Sequence, residues 1–168
     1  MSAVDGTFAD LLTANREYAE HFDLAGFDGV AHAGVAMVTC MDSRIDPLRM
    51  IGLRAGDAKI LRNPGGRVTE RALAALVLGV TLLQVRRVLV VPHTRCAVAT
   101  STEQELLRRI SEATGRDASG TELGVVADQE AALYEDVARI RSHPLIGDRV
   151  EVGGFLYDVD TGLLQQLV

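Results

Sequence analysis

Tryptophan is absent from this sequence of 168 residues, and aromatic residues make up only 4% of it. Proteins that bind single-stranded nucleic acid rely on aromatic side chains for base stacking, and nonspecific binding of duplexes needs a concentrated basic face. The chain instead has 17 basic and 23 acidic residues, a formal net charge of -6, and its arginines are scattered along the sequence. These features argue against a nucleic-acid partner.

Long apolar runs and an export signal are also missing. No hydrophobic stretch approaches the roughly 20 residues of a membrane helix, and the N-terminal sequence MSAVDGTFADLL lacks the basic-then-apolar profile of a signal peptide. We therefore expect a cytoplasmic protein with no membrane partner. The chain has only two cysteines, which excludes a disulfide-stapled module.

The composition is that of an ordinary globular protein, with 48% hydrophobic and 24% charged residues. A chain of this length can bury a proper core within one domain. The sequence contains no internal repeat, low-complexity tract or linker. We therefore expect a single domain over residues 1–168.

Three short apolar runs predict strands that are buried on both faces. They cover residues 34–40, 57–61 and 87–91 and are rich in small and β-branched side chains. Between the second and third runs, residues 69–83 have apolar positions at helical spacing. The order strand, helix, strand indicates a βαβ unit, so we predict an α/β fold with a central, mostly parallel sheet flanked by helices.

The remaining patterns predict three more helices and a late strand. Residues 8–22 have apolar positions at helical spacing, on a face that packs on its own domain or on a partner. Ser101 and Gln104 have the spacing of a capping box, which predicts a helix to about residue 113. The other two predicted elements are a helix over residues 128–142 and an alternating strand over residues 150–157.

Reactive side chains follow each of the three predicted core strands. The carboxyl ends of parallel strands meet at one edge of a sheet, where ligands bind in open α/β folds. Both cysteines and one of the four histidines are therefore expected at the same edge. The three segments are Cys40-Met41-Asp42-Ser43-Arg44, Arg62-Asn63-Pro64-Gly65-Gly66 and His93-Thr94-Arg95-Cys96.

Two thiolates and an imidazole are ligands that zinc prefers. His93 and Cys96 are three residues apart on a strand-to-helix turn, so both side chains can point at one centre. Cys40 reaches that centre only if its strand lies beside the strand that precedes His93. Three protein ligands leave a fourth position for water or the carboxylate of Asp42, and an open position is typical of catalytic zinc.

Each of these residues, taken alone, is also compatible with a purely structural role. A free cysteine at the end of an apolar strand is usually a packing residue. A disulfide between Cys40 and Cys96 is disfavoured without an export signal, and a thioredoxin-like dithiol has its cysteines two residues apart. The meeting of two cysteines and His93 at one edge favours a metal site. The remaining three histidines have no partner at ligand spacing and receive no role: His21, His32 and His143.

Two further features surround this predicted site. Arg44 lies two residues after Asp42, and an ion pair between them would lower the pKa of the carboxyl group and orient it. The glycines of the turn at residues 63–66 permit a close backbone approach and supply amide donors.

The three segments, in this order, resemble the pattern of the β-class carbonic anhydrases, in the compact bacterial subgroup, and the resemblance spans nearly the whole chain. It implies a Zn2+ ion held by Cys40, His93 and Cys96 and a catalytic dyad of Asp42 and Arg44. It implies an N-terminal helix that packs on a partner subunit, in a homodimer or a higher homo-oligomer. The implied activity is that of a zinc lyase, the reversible hydration of carbon dioxide to bicarbonate and a proton by zinc-bound hydroxide.

The chain departs from the usual family pattern at two positions. Arg95 replaces a common aspartate and so reverses the charge at this position. We expect the positive charge of Arg95 either to attract bicarbonate or to disturb a local hydrogen-bond network. Ala97 replaces a common glycine. The family's bicarbonate-inhibition site, which uses a tryptophan, is not present in its usual form. The alternatives are a relative that hydrolyses carbon disulfide or carbonyl sulfide, and a non-catalytic protein that binds zinc or bicarbonate.

Overall fold

Five strands form the central sheet of the computed structural model, which describes residues 8–168. They are β1 (Val35–Cys40), β2 (Ala58–Asn63), β3 (Arg87–Val91), β4 (Glu151–Tyr157) and β5 (Leu164–Gln166). Their order is β2-β1-β3-β4-β5, with β5 antiparallel to β4 and the other pairs parallel. The predicted mostly parallel sheet is therefore confirmed. The first seven residues of the predicted domain lie outside the described range.

Strand β1 is the centre of the sheet, and all six of its residues are buried. It pairs with β2 on one side and with β3 on the other, so its side chains are covered on both faces. Cys40 lies opposite Asn63 of β2, and Thr39 lies opposite Val91 of β3. The carboxyl ends of these three strands are therefore level with one another.

Five helices flank the sheet in the described range. They are α1 (Ala9–Glu20), α2 (Glu70–Leu82), α3 (Ala97–Thr100), α4 (Glu103–Thr114) and α5 (Gln129–Arg141). Thr69 caps α2 and Asp128 caps α5, each through a side chain that accepts a hydrogen bond from a first-turn amide. The predicted helices over residues 69–83 and 128–142 are thus confirmed. No helix in this part of the chain is long and apolar enough to cross a membrane.

The predicted start of α4 is wrong by one residue. Thr102, not Ser101, caps the helix and accepts a hydrogen bond from the Glu105 amide at 3.2 Å. Thr102 and Glu105 have the same capping-box spacing as Ser101 and Gln104, so the local sequence favours either start. The helix ends at Thr114, close to the predicted end, and Gly115 follows in the left-handed conformation.

Helices α2 and α5 cover the sheet with apolar side chains. Leu76 and Val80 of α2 and Ile140 of α5 belong to the main buried cluster, together with Val38 and Val90 of the sheet. Helix α1 differs, because none of its residues is buried within this chain. The core therefore depends on α2 and α5, while α1 contributes no buried side chain to it.

The turn at residues 63–66 packs directly against the end of β1. Gly65 and Gly66 both have positive φ angles, of 80° and 67°. A Cβ atom on Gly66 would lie 3.0 Å from the backbone nitrogen of Cys40 and 3.0 Å from the carbonyl carbon of Thr39. Because neither neighbour is a flexible side chain, only glycine allows this approach.

Replacing Gly66 with alanine tests this close approach. Gly115 is the matched control, because it has nearly the same φ, 66°, but no atom within 4 Å of its Cβ position. We expect Gly115→Ala to lower the free energy of unfolding by about 1 kcal/mol, through the backbone cost alone. Gly66→Ala should lower it by about 3 kcal/mol, because the methyl group also collides with β1. Urea unfolding measures both, and equal losses would contradict the close approach.

Candidate functional site

Two cysteines and one histidine meet at the carboxyl end of β1 and β3. Cys40 is the last residue of β1, His93 lies two residues after β3, and Cys96 immediately precedes α3. Their ligand atoms all lie within 4.8 Å of one another, and all three residues are buried. The two sulfur atoms are 3.9 Å apart, far beyond the roughly 2.05 Å of a disulfide bond. The parallel neighbours predicted from the sequence therefore bring together a group that can hold a metal ion.

The imidazole of His93 is fixed by its own backbone segment. Nδ1 lies 2.8 Å from the carbonyl oxygen of Thr94, so Nδ1 carries the proton and donates it. The other ring nitrogen, Nε2, is buried and has no hydrogen-bond partner among residues 8–168. A buried polar atom without a partner is costly, so a site of this kind calls for a ligand. Burial also lowers the pKa of His93, which favours the neutral form that binds metals.

The two sulfur atoms are buried side by side, where ionised thiolates need a positive charge nearby. Burial raises the pKa of the Cys96 thiol, while the amide groups of Val98 and Ala99 act in the opposite direction. The Gly65 amide donates a hydrogen bond to the sulfur of Cys40 at 3.3 Å. Amide donors alone are a weak compensation for two adjacent buried thiolates, whereas a bound cation compensates them directly.

Asp42 and Arg44 form the ion pair predicted from their spacing. Arg44 Nε donates to Asp42 Oδ1 at 2.9 Å, and Nη2 donates to Oδ2 at 2.7 Å. These hydrogen bonds hold the pKa of Asp42 well below its usual range, so the carboxylate stays ionised. Oδ2 also lies 3.7 Å from Nε2 of His93. The fixed negative charge therefore borders the group of three ligand atoms.

Arg62 fixes the backbone that carries this ion pair. Its Nε donates to the carbonyl oxygen of Cys40 at 2.9 Å, and its Nη2 donates to the carbonyl oxygen of Asp42 at 2.6 Å. The loop after β1 is thus held by a side chain from the neighbouring strand β2. The sequence motif includes Arg62 but does not indicate this role.

Arg95 is paired, although it replaces a common aspartate of the family pattern. Its side chain forms an ion pair with Asp160, in the turn between β4 and β5. The Arg95 backbone has a positive φ of 54°, and its carbonyl oxygen lies 3.4 Å from Nη2 of Arg44. The reversed charge is therefore balanced locally. Ala97, the second departure, is exposed at the first position of α3.

Three contributors to the site region were missed by sequence reasoning. Gln129 Nε2 donates to the backbone carbonyl of His93 at 3.0 Å, from the start of α5. Arg67 and Asp136 form a part-buried ion pair beside the turn at residues 63–66. Arg67 directly follows the turn, whereas Gln129 and Asp136 lie in no local motif and are brought near only by the packing of α5 on the sheet. Among the described residues, the group that could hold a metal ion includes none of the three histidines without a predicted role, His21, His32 and His143.

Comparison with known proteins agrees with this geometry. The sequence model of the carbonic anhydrase family matches residues 35–164. The chain is 30% identical to β-carbonic anhydrase 1 of Mycobacterium tuberculosis over 162 residues, 94% of this chain and 96% of the relative. It is 29% identical to a carbon disulfide hydrolase of Acidianus over 157 residues, 77% of this chain and 75% of the relative.

Its fold is similar to the crystal structure of a carbonic anhydrase from Streptococcus mutans. The TM-score is 0.86 at 34% sequence identity, and the match covers 98% of this chain and 99% of the other. The matched range of the family model begins with β1 and ends at the first residue of β5, so it includes the whole group of ligand atoms. On this evidence the chain belongs to the β-carbonic anhydrase family.

Proposed function

We propose that Cys40, His93 and Cys96 hold one zinc ion. Two sulfur atoms bound to one zinc at about 2.3 Å, with a tetrahedral angle between them, are about 3.8 Å apart. The separation of 3.9 Å between the two cysteine sulfurs agrees with that value. The unpartnered Nε2 of His93 supplies a third donor, and the set of two thiolates and one imidazole suits zinc.

The reaction that we propose is the reversible hydration of carbon dioxide to bicarbonate and a proton. The observation that carries it is the ionised Asp42, locked by Arg44 beside the three ligand atoms. A purely structural metal site would have no use for such a fixed charge. Zinc, when bound, lowers the pKa of a coordinated water molecule to about 7 and so makes a nucleophile available near neutral pH.

Asp42 orients that nucleophile and Arg44 keeps Asp42 in place. Because the carboxylate remains ionised, its Oδ2 accepts a hydrogen bond from the water-derived nucleophile and fixes where its proton points. The Asp42 side chain is 19% exposed, so solvent reaches this edge of the site and can take up the released proton while Asp42 stays ionised. Arg44 uses two donors on the carboxylate, which fixes the carboxylate plane as well as its charge.

Apolar side chains surround the sulfur atoms and suit an apolar gas as substrate. Cys40 and Cys96 belong to a buried cluster with Ile45, Val91 and Tyr157. Carbon dioxide has no net dipole and needs no hydrogen-bond partner on entering such surroundings, whereas the charged product bicarbonate is favoured in water. This difference in solvation supports release of the product from the site.

Stopped-flow measurement of carbon dioxide hydration tests the proposed function. We expect zinc-loaded protein to be active and its activity to rise between pH about 7 and 9, because the nucleophile forms by loss of a proton. Cys96→Ser is the control and should lose both zinc and activity. Zinc-loaded protein without hydration at any pH in this range would contradict the proposal.

Asp42→Asn tests the role of the fixed carboxylate. The amide keeps the shape but removes the charge, and its NH2 group faces the donors of Arg44. We expect bound zinc to stay at the wild-type level and turnover to fall about a hundredfold. Asp46→Asn is the matched control, because this exposed carboxylate of the same loop accepts only from the Arg49 amide in the described structure. Wild-type turnover in Asp42→Asn would discard the proposed role.

Carbon disulfide hydrolysis is the second candidate activity, since the relative from Acidianus is named as a carbon disulfide hydrolase. The substrate is also linear, small and apolar, so the surroundings of the sulfur atoms do not separate it from carbon dioxide. Release of hydrogen sulfide from carbon disulfide, with no hydration of carbon dioxide by the same zinc-loaded sample, would favour this activity. If the zinc-loaded sample catalysed neither reaction, the result would indicate a non-catalytic protein that binds zinc.

We also propose that α1 packs on a partner subunit in a homo-oligomer. Phe8, Leu11 and Tyr18 are at helical spacing on one face and are 72%, 62% and 59% exposed in the single chain. Leu12 on the same helix face, and Phe22 two residues beyond the end of α1, are exposed as well. An apolar stripe of this length on one helix is typical of a surface that another chain covers.

Leu11→Lys tests the oligomer, because a charge in the stripe would have to be buried against the partner. Thr13→Lys is the matched control on the polar side of the same helix, where Thr13 bonds only within α1 in the described structure. We expect sedimentation velocity to give dimer or larger species for wild type and Thr13→Lys, and a shift to monomer for Leu11→Lys. Identical distributions for the two variants would contradict the proposed interface.

A further inference from the structure

Asp136 is a buried carboxylate, 4% exposed, on the inner face of α5. Its Oδ2 accepts hydrogen bonds from Arg67 Nε at 2.6 Å and from the Val68 amide at 3.1 Å. Its Oδ1 accepts from Arg67 Nη2 at 3.2 Å. All three donors belong to residues 67–68, the short connection between the turn at residues 63–66 and α2.

Side chains, rather than regular secondary structure, hold this connection. The Asn63 side chain forms two hydrogen bonds with the backbone of Arg67. Its Nδ2 donates to the Arg67 carbonyl oxygen at 2.7 Å, and its Oδ1 accepts from the Arg67 amide at 2.8 Å. Arg139 of α5 donates to the carbonyl oxygen of Val68 at 2.8 Å. Buried backbone groups need such partners. Two side chains of α5, Asp136 and Arg139, therefore fix both polar groups of Val68.

The turn held in this way contacts a proposed metal ligand. Gly66 packs against the backbone of Cys40, and the Gly65 amide donates to the Cys40 sulfur at 3.3 Å. A hydrogen bond from an amide stabilises a thiolate and moderates the charge that the sulfur donates to a metal. A small displacement of the turn would lengthen this hydrogen bond, because the donor and the contact surface belong to the same two glycines.

We propose that Asp136 is a positioning residue, which acts through Arg67 and Val68 to hold the Gly65 amide on the Cys40 sulfur and so strengthens zinc binding. This inference rests on the zinc site proposed above.

An ion pair that includes a buried carboxylate is an inefficient way to stabilise a fold, because two apolar side chains of similar volume often stabilise it as well or better. The three hydrogen bonds of Asp136 instead converge on one short segment. A small cavity of about 10 Å³ also lies between the turn and α5, bordered by Gly65, Gly66, Gln129 and Asp136. The turn is therefore not fully packed against α5 at this point, and the hydrogen bonds of Asp136 supply a link between them.

Asp136→Asn tests the proposal with zinc affinity as the readout, measured by competition with a chromophoric chelator. Removing the charge should weaken zinc binding about tenfold, the lower end of the effect expected for groups that orient a metal ligand. Arg141→Met is the matched control, because Arg141 lies on the same helix and donates to Val152 of β4, away from the turn. Its zinc affinity should equal that of the wild type.

Cobalt substitution supplies a readout at the sulfur itself. Without the amide hydrogen bond the Cys40 thiolate donates more charge, so the sulfur-to-cobalt absorption band of Asp136→Asn should move to longer wavelength. A merely structural role for Asp136 would leave this band in place in protein that is folded. Arg141→Met should show the wild-type band.

The double variant Arg67→Met/Asp136→Leu keeps the test decisive if the single variant does not fold. Its apolar pair should preserve stability, yet it cannot accept from the Val68 amide, so zinc affinity should still fall about tenfold. Wild-type affinity and an unshifted band in either folded variant would overturn the inference. Wild-type protein that binds no zinc in the same titration would overturn the zinc site itself, and this inference with it.

Discussion

The parallel pairing of β1 with both β2 and β3 is the constraint on which the rest of the site depends. Cys40 ends the central strand, and its neighbours deliver the glycine turn on one side and His93 on the other. A register slip of one residue would turn every side chain of β1 to the opposite face, and Cys40 would point away from His93. The complete burial of β1 opposes such a slip, because every side chain of the strand would have to repack on the opposite face.

Burial also makes charged side chains costly at the site. The Cys96 thiol and the His93 imidazole favour their neutral forms in the protein interior, because burial raises the pKa of Cys96 and lowers the pKa of His93. The chain compensates in part with a backbone donor to Cys40 and a fixed Asp42–Arg44 pair at the border. A remaining free-energy cost of burying such side chains is typical of functional sites, where local stability is given up for a pre-organised group of ligands.

Strands β1 to β4, α2 and the ligand group could be predicted from the sequence, because each rests on local periodicity or on the rule that parallel strand ends meet. The short strand β5 was not predicted. The cap of α4 could not, since Ser101 and Thr102 offer nearly equivalent local signals. Asp136 and Gln129 could not either. Each meets its partner only after α5 packs on the sheet, and nothing in the sequence near α5 marks them. The proposed partner of the α1 stripe is another chain, and local sequence patterns do not describe contacts between chains.

One zinc ion that binds both cysteine sulfurs and His93 is the central feature of the proposed site. X-ray absorption of the zinc-loaded protein measures that shell directly. We expect two sulfur neighbours per zinc at about 2.3 Å, and lighter neighbours at about 2.0 Å from His93 and a fourth ligand. A shell made only of nitrogen and oxygen, or one with a single sulfur, would show that the sheet does not assemble this site around zinc.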